Sequence, residues 1–211
     1  MMLDIAAQLH TGIIKLGLDL PQEIEQQLLD YLALLQKWNK AYNLTAIRQP
    51  SEMVVKHLLD SLSILSFIAQ GKRVIDVGTG AGLPGMVIAI AQPECSVTLL
   101  DSNGKKIRFL RQVAAELKLE NVEMLHSRVE DCTAQFDIVT SRAFASLADM
   151  VQGSGQLLAG DGEFFAMKGL VPHAEISALP AGVIVKEIVP LKIPFLNEER
   201  HLVRLSKIEK R

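Results

Sequence analysis

The chain has 211 residues, of which 49% are hydrophobic and 22% charged, with a formal net charge of -2. That much apolar material excludes a disordered chain and suffices for one buried core, at about 100–200 residues per domain. The near-neutral total gives no global sign of nucleic-acid binding, although a local basic face can sit inside it.

The first ten residues carry Asp4 where a secretory leader needs positive charge, and nowhere do about eighteen apolar residues run together. A cytoplasmic protein that does not enter the membrane is expected. Residues 1–68 show helical spacing, clearest at Leu28, Leu32, Leu35 and Trp38, then at Val54, His57, Leu58, Ser61, Leu62 and Leu65. Pro21 and Pro50 suit first helical turns. Trp38 reads as core and not as a base-stacking platform. His57 and Asp60, three apart on an otherwise apolar face, read as a mutually satisfied pair that holds this helix on the sheet.

From Arg73 onward short apolar runs alternate with helical stretches. Strands are predicted at 73–77, 96–101, 122–127, 136–141, 162–168, 183–191 and 200–207, and helices at 85–92, 103–118, 146–158 and 172–179. Such alternation argues for an α/β fold with a mainly parallel sheet of about seven strands. Only "KIPFLNEE" separates the last two strands, so these are expected to pair antiparallel. The expected organisation is an N-terminal helical part, 1–68, packed on a sheet domain, 69–211. Cys95 and Cys132 have no metal-type spacing, which argues for reduced thiols and against a disulfide framework or a zinc site.

The stretch "VIDVGTGAGLPG" (74–85) places four glycines directly behind the first strand. In an open parallel sheet, ligands bind at the carboxyl ends of the strands, where a glycine turn brings backbone N–H groups close to them. Gly78, Gly80 and Gly82 give G-x-G-x-G, with Leu83 where a dinucleotide fingerprint would need its third glycine. With Asp76 ahead of them the pattern is D-x-G-x-G-x-G, which resembles the first motif of S-adenosylmethionine-dependent methyltransferases. Asp101 ends the second strand, where an acidic side chain can accept both ribose hydroxyls.

A closer likeness lies in the blocks "WNKAYNLTAIR" (38–48), "HLLDSL" (57–62), "DVGTGAGLPG" (76–85), "LLDSNGKKIRFLRQV" (99–113), "SRVED" (127–131), "SRAFASL" (141–147), "MKG" (167–169) and "ERHLV" (199–203). Together, in this order, they resemble the RsmG family, also called GidB, bacterial 7-methylguanosine methyltransferases of 16S ribosomal RNA. The resemblance covers roughly residues 20–205. It implies a Rossmann-like methyltransferase fold, S-adenosylmethionine as cofactor, and 16S ribosomal RNA in the small ribosomal subunit as partner, with the protein expected to act as a monomer. It further implies that Gly78, Gly80, Leu83, Asp101, Val129, Glu130 and Arg142 hold the cofactor.

Arg142 follows the fourth strand, where a guanidinium can meet a phosphate or stack on a base. With Lys168 it is expected to position the reactants, no general base being needed because guanine N7 carries a lone pair and no proton. The helix after Asp101 carries Lys105, Lys106, Arg108, Arg111 and Lys118, while Ile107, Leu110, Ala114 and Leu117 form its buried stripe. A second basic group is Arg200, Arg204, Lys207, Lys210 and Arg211. RNA contacts are expected at Lys105, Arg108, Arg128, Lys168 and Arg200.

Missing motifs narrow the chemistry. Amine methyltransferases typically show Asn/Asp-Pro-Pro-aromatic after the fourth strand, where this chain has Ser141-Arg142-Ala143-Phe144, and neither cysteine lies where a pyrimidine enzyme needs its thiolate. Two rivals remain. A nicotinamide oxidoreductase would share Asp101 but should show G-x-G-x-x-G, and a non-catalytic RNA-binding protein would explain the basic helix without methyl transfer.

Overall fold

The computed structural model describes residues 5–142, 144 and 146–208, so Asp4, Ala143, Lys210 and Arg211 lie outside the described residues. The chain opens with α1 (Ile5–Lys15) and α2 (Gln22–Tyr42), then α3 (Pro50–Met53), which passes through a π-helical stretch, Val54–Leu59, into α4 (Asp60–Leu62). Pro21 caps α2 and Pro50 opens α3, positions where a missing N–H costs nothing. There follow β1 (Arg73–Val77), α5 (Gly85–Ala91), β2 (Ser96–Asp101), α6 (Gly104–Leu117), β3 (Val122–His126) and β4 (Phe136–Ser141). The chain continues through α7 (Leu147–Ser154), β5 (Leu158–Lys168), α8 (His173–Ser177), β6 (Val183–Pro190) and β7 (His201–Lys207).

The strands form one sheet in the order β3-β2-β1-β4-β5-β7-β6. The first five are parallel, and β7 runs antiparallel between β5 and β6. The order reverses at β1, so the ends of β1, β2 and β4 open a crevice there. The expected α/β sheet with an antiparallel C-terminal strand is therefore what the chain forms.

Apolar residues on the two faces of β1 enter different cores. Val74 joins the N-terminal helices, α5 and α6, whereas Ile75 and Val77 join α7. Trp38 packs on the first core, 5.9 Å from the Phe109 ring, in keeping with its reading as core. The buried stripe of α6 is wider than expected, because Phe109 and Val113 are buried beside Ile107, Leu110, Ala114 and Leu117.

Most predicted elements form within one or two residues of their predicted limits, and two depart further. The helix predicted over 146–158 stops at Ser154 and tightens into a 3-10 turn, Gly155–Leu157, because Gly153 and Gly155 weaken it there. This frees Leu158 to pair with Phe136, so β5 begins four residues before the predicted 162, across a register shift between Phe136 and Ile138.

The glycine turn is packed from outside. Tyr31 of α2 is fully buried and donates to the Ala81 carbonyl at 2.8 Å. Gly82 has φ +99°, and a Cβ there would lie 2.7 Å from Leu110 Cδ2 and 2.8 Å from Met86 Cβ. Gly82→Ala is therefore expected to cost about 2–5 kcal/mol through backbone strain and overpacking, read as a shift of the urea unfolding midpoint.

Candidate active site

Two neighbouring cavities open at the carboxyl ends of the strands. The first, about 300 Å³, is lined by Gly78, Asp101, Arg128, Val129 and Glu130 together with Val77, Leu100, Ser102 and Ser127. Gly78 and Gly80 have φ values of +68° and +62°, which their lack of a Cβ allows. The turn is tied to β2 because Gly78 and Thr79 both donate to the Leu100 carbonyl. Asp101 is 5% exposed. Its Oδ2 accepts from the Gly80 N–H at 2.9 Å and lies 3.4 Å from Lys106 Nζ, and its Oδ1 accepts from the Asn103 N–H at 2.8 Å.

The second cavity, about 290 Å³, gathers Lys56, His57, Asp60, Arg142, Lys168 and Arg200 beside Ile47, Met167, Gly169, Leu191 and His201. The register of β5 against β7 sets Lys168 opposite His201, whose Nδ1 bonds the Gly169 carbonyl at 2.7 Å.

Residues 24–203 match the model of the GidB family, described as rRNA small subunit methyltransferase G. The chain belongs to this family. Over 202 residues it is 52% identical to the ribosomal RNA small subunit methyltransferase G of Edwardsiella ictaluri, covering 94% of this chain and 98% of that one. Against its counterpart from Chromobacterium violaceum it is 51% identical over 94% of this chain and 96% of the other. A SAM-dependent methyltransferase from Aquifex aeolicus, known from a crystal structure, shares the fold at TM-score 0.58 and 16% identity, over 77% of this chain and 96% of that one. The family makes the chain a ribosomal RNA methyltransferase.

In this GidB chain the residues assigned from sequence divide between the two cavities. Gly78, Asp101, Val129 and Glu130 share the first, and Gly80 borders it through its bond to Asp101. Arg128, assigned to RNA, stands in that same cleft. Leu83 lines neither cavity: its side chain is buried in the core and its N–H donates to the Thr79 carbonyl. Lys105 and Arg108 are exposed on α6 and also line neither. Arg142 stands in the second cavity with Lys168 and Arg200.

There each cation is already engaged. Arg142 Nη1 donates to Asp60 Oδ2 at 2.8 Å, Lys168 Nζ pairs with Glu175 at 2.9 Å, and Arg200 pairs with Glu198 at 2.8 Å and with Asp60 at 3.4 Å. The expected His57–Asp60 pair does not form. His57 Nε2 bonds Thr45 Oγ1 at 2.9 Å instead. The i→i+5 winding of Val54–Leu59 breaks the α-helical register that would stack residues three apart.

Among the described residues no helix is long and apolar enough to cross a membrane. Sequence reasoning missed Tyr31, Thr45 and Glu198, whose partners Ala81, His57 and Lys56 lie 12 to 142 residues away, and Glu175, which meets Lys168 only through packing. It also missed what Asp76 does. That carboxylate is wholly buried, its Oδ2 accepts from Thr79 Oγ1 at 2.7 Å and the Gly85 N–H at 2.8 Å, and burial pushes its pKa up to about 6. The spacing of Thr79 three residues after Asp76 was the available signal.

Burial, reinforced by the nearby Arg142 charge, holds His57 at about 4. A depressed folded pKa means that the neutral ring is favoured in the folded state, so its contribution is complete above about pH 6.5 and is lost as pH falls toward 4. Asp76, raised from 3.8, acts in the opposite sense: its contribution is complete below its unfolded value and is lost as pH rises through 6. His57→Gln removes only the first effect. Its stability relative to wild type, followed by urea unfolding, is expected to improve by about 3 kcal/mol between pH 6.5 and 4.

Proposed function

We propose that this chain transfers the methyl group of S-adenosylmethionine to N7 of one guanine in 16S ribosomal RNA. It acts as a monomer on the small ribosomal subunit in the cytoplasm, by direct in-line attack without a general base. The observation that carries this reading is the meeting of Gly78, Asp101, Val129 and Glu130 in one cleft beside a cavity walled by cations.

The first cleft fits the cofactor. Each Asp101 oxygen has two lone pairs: Oδ1, bonded to Asn103, keeps one for a ribose hydroxyl, and Oδ2, bonded to Gly80, offers a second when the Lys106 ammonium 3.4 Å away gives way to the ligand. A Cβ on Gly80 would meet no heavy atom nearer than the Gly78 carbonyl oxygen at 3.9 Å and Lys106 Nζ at 4.0 Å, so the backbone there is uncrowded and a ligand can approach it. Val129, partly buried against the α7 core, offers an apolar surface to a purine face. When bound, S-adenosylmethionine supplies an electrophilic methyl group on a sulfonium.

Guanine N7 follows from the resemblance of the sequence blocks, and two features of the chain agree with it. Arg142 follows Ser141 after β4, where an amine-directed enzyme would carry a proline pair, and both thiols are buried. Three kinds of group in the second cavity are unsuited to take a proton near neutral pH. Burial makes His57 too weak a base, Asp60 is held by two arginines, and a guanidinium stays protonated. What Arg142 and Lys168 contribute is alignment and charge placement.

The deciding experiment maps 7-methylguanosine in 16S ribosomal RNA from cells with and without the gene; an unchanged map rejects the proposal. In purified protein Asp101→Ala should raise the Kd for S-adenosylmethionine about tenfold to a hundredfold, as a charge-assisted bond worth about 1.5–3 kcal/mol is lost. Gly80→Val should do comparable harm by filling the approach to the turn. Single-turnover rates at saturating RNA and cofactor should be nearly flat between about pH 6.5 and 9, whereas a unit-slope limb abolished by replacing one residue would reveal a base.

A further inference from the structure

Asp60 is 4% exposed and stands in sequence among Leu58, Leu59 and Leu62, which are fully buried. Removing a carboxylate from water is costly, and desolvation raises its pKa while Arg142 and Arg200 pull it back. The two guanidiniums come from elements far apart in the chain. Arg142 lies just past β4, with Nη1 2.8 Å from Oδ2, and Arg200 lies just before β7, with Nε 3.4 Å from Oδ1.

For stability alone this is a poor arrangement, since an apolar side chain of similar volume would hold α4 in place without desolvating three charges. What leucine cannot do is fix two guanidiniums on the wall of the second cavity. Strand β5, next to β4 and β7, brings Lys168 to that same wall. Apart from Asp60, the acidic or permanently basic side chains lining the cavity are all cationic: Lys56, Arg142, Lys168 and Arg200. Glu175 and Glu198, which pair with these cations, do not line it. Asp60 also directly follows the π-helical turn, a rare conformation concentrated at functional sites. Two planar forks and an ammonium around one opening match the oxygens of a phosphodiester.

We propose that Asp60 is a positioning residue for RNA: by holding Arg142 and Arg200 on one carboxylate, it presents both guanidiniums, beside Lys168, to a phosphodiester of the substrate strand. The inference rests on the reading that the substrate is ribosomal RNA.

Two variants separate this role from a structural one, Asp60→Asn, which keeps the shape without the charge, and Asp60→Leu, which keeps the branched skeleton in apolar form. Binding to small ribosomal subunits from cells lacking the gene is measured by filter retention between about 50 and 200 mM salt, beside the thermal midpoint. Both variants should bind about tenfold more weakly or worse, with the slope of log K against log salt shallower by about one. Arg200→Ala alone should cost about tenfold, but under about threefold more in the Asp60→Asn background, because the two residues act through one contact. A lowered midpoint with wild-type affinity and slope would make Asp60 merely structural and overturn the proposal. So would a loss in Arg200→Ala with none in Asp60→Asn, or wild-type protein that does not bind the subunits. Methyl transfer to the same subunits is followed in parallel: its absence with the binding pattern intact would reject the methylation reading and support this one.

Discussion

One buried carboxylate holds the turn on which the first cleft is built. Asp76, the next-to-last residue of β1, has no solvent exposure and ties together Thr79 and Gly85, the two ends of the loop between β1 and α5. Its bonds to Thr79 and Gly85 recover only part of what burial costs the charge. Tyr31 grips the same loop from the other side at Ala81, so helix α2 and strand β1 together define a backbone path that only glycine can follow. The four glycines then have two different reasons. Gly82 and Gly85 are packed against Leu110, Met86, Leu99 and Asp76 with no space for a Cβ, whereas Gly80 is uncrowded but has positive φ and Gly78 lines the cleft.

The two cavities differ in sign. Asp101 and Glu130 make the first acidic in character, though Arg128 stands at its wall, and the second is walled by lysines and arginines over a single acid. Such a division suits a cationic small molecule on one side and a polyanion on the other, with Arg142 near enough to influence Asp76 through space. Every cation of the second cavity is held by a carboxylate, which fixes its direction without removing its charge.

How much of this was legible in the sequence varies by element. Strands β1, β2 and β4 were read to the residue, because strands buried on both faces show as apolar runs ending abruptly at polar residues. The cofactor-type turn was legible because positive φ leaves glycine as its mark. The end of α7 and the early start of β5 were not, since a register shift between two strands leaves no local pattern. The π-helical turn at 54–59 has the same composition as an α-helix, so His57 and Asp60 were paired on one face when their partners, Thr45, Arg142 and Arg200, lie elsewhere. Arg142 and Lys168 do stand at strand ends, as the sequence pattern places them, but nothing in their neighbourhoods named Asp60 or Glu175 as their partners.

Strand β7 follows β6 in sequence and yet sits inside the sheet, between β5 and β6. Such a topology imposes an order on biosynthesis. Until residues 201–207 have left the ribosome, β5 has an unpaired edge and β6 has no neighbour, because β7 is its only partner among the described strands. Arg200 and His201 arrive with that strand, so the nascent chain can assemble its glycine turn early but completes the cationic wall only after residues 200–207 have emerged.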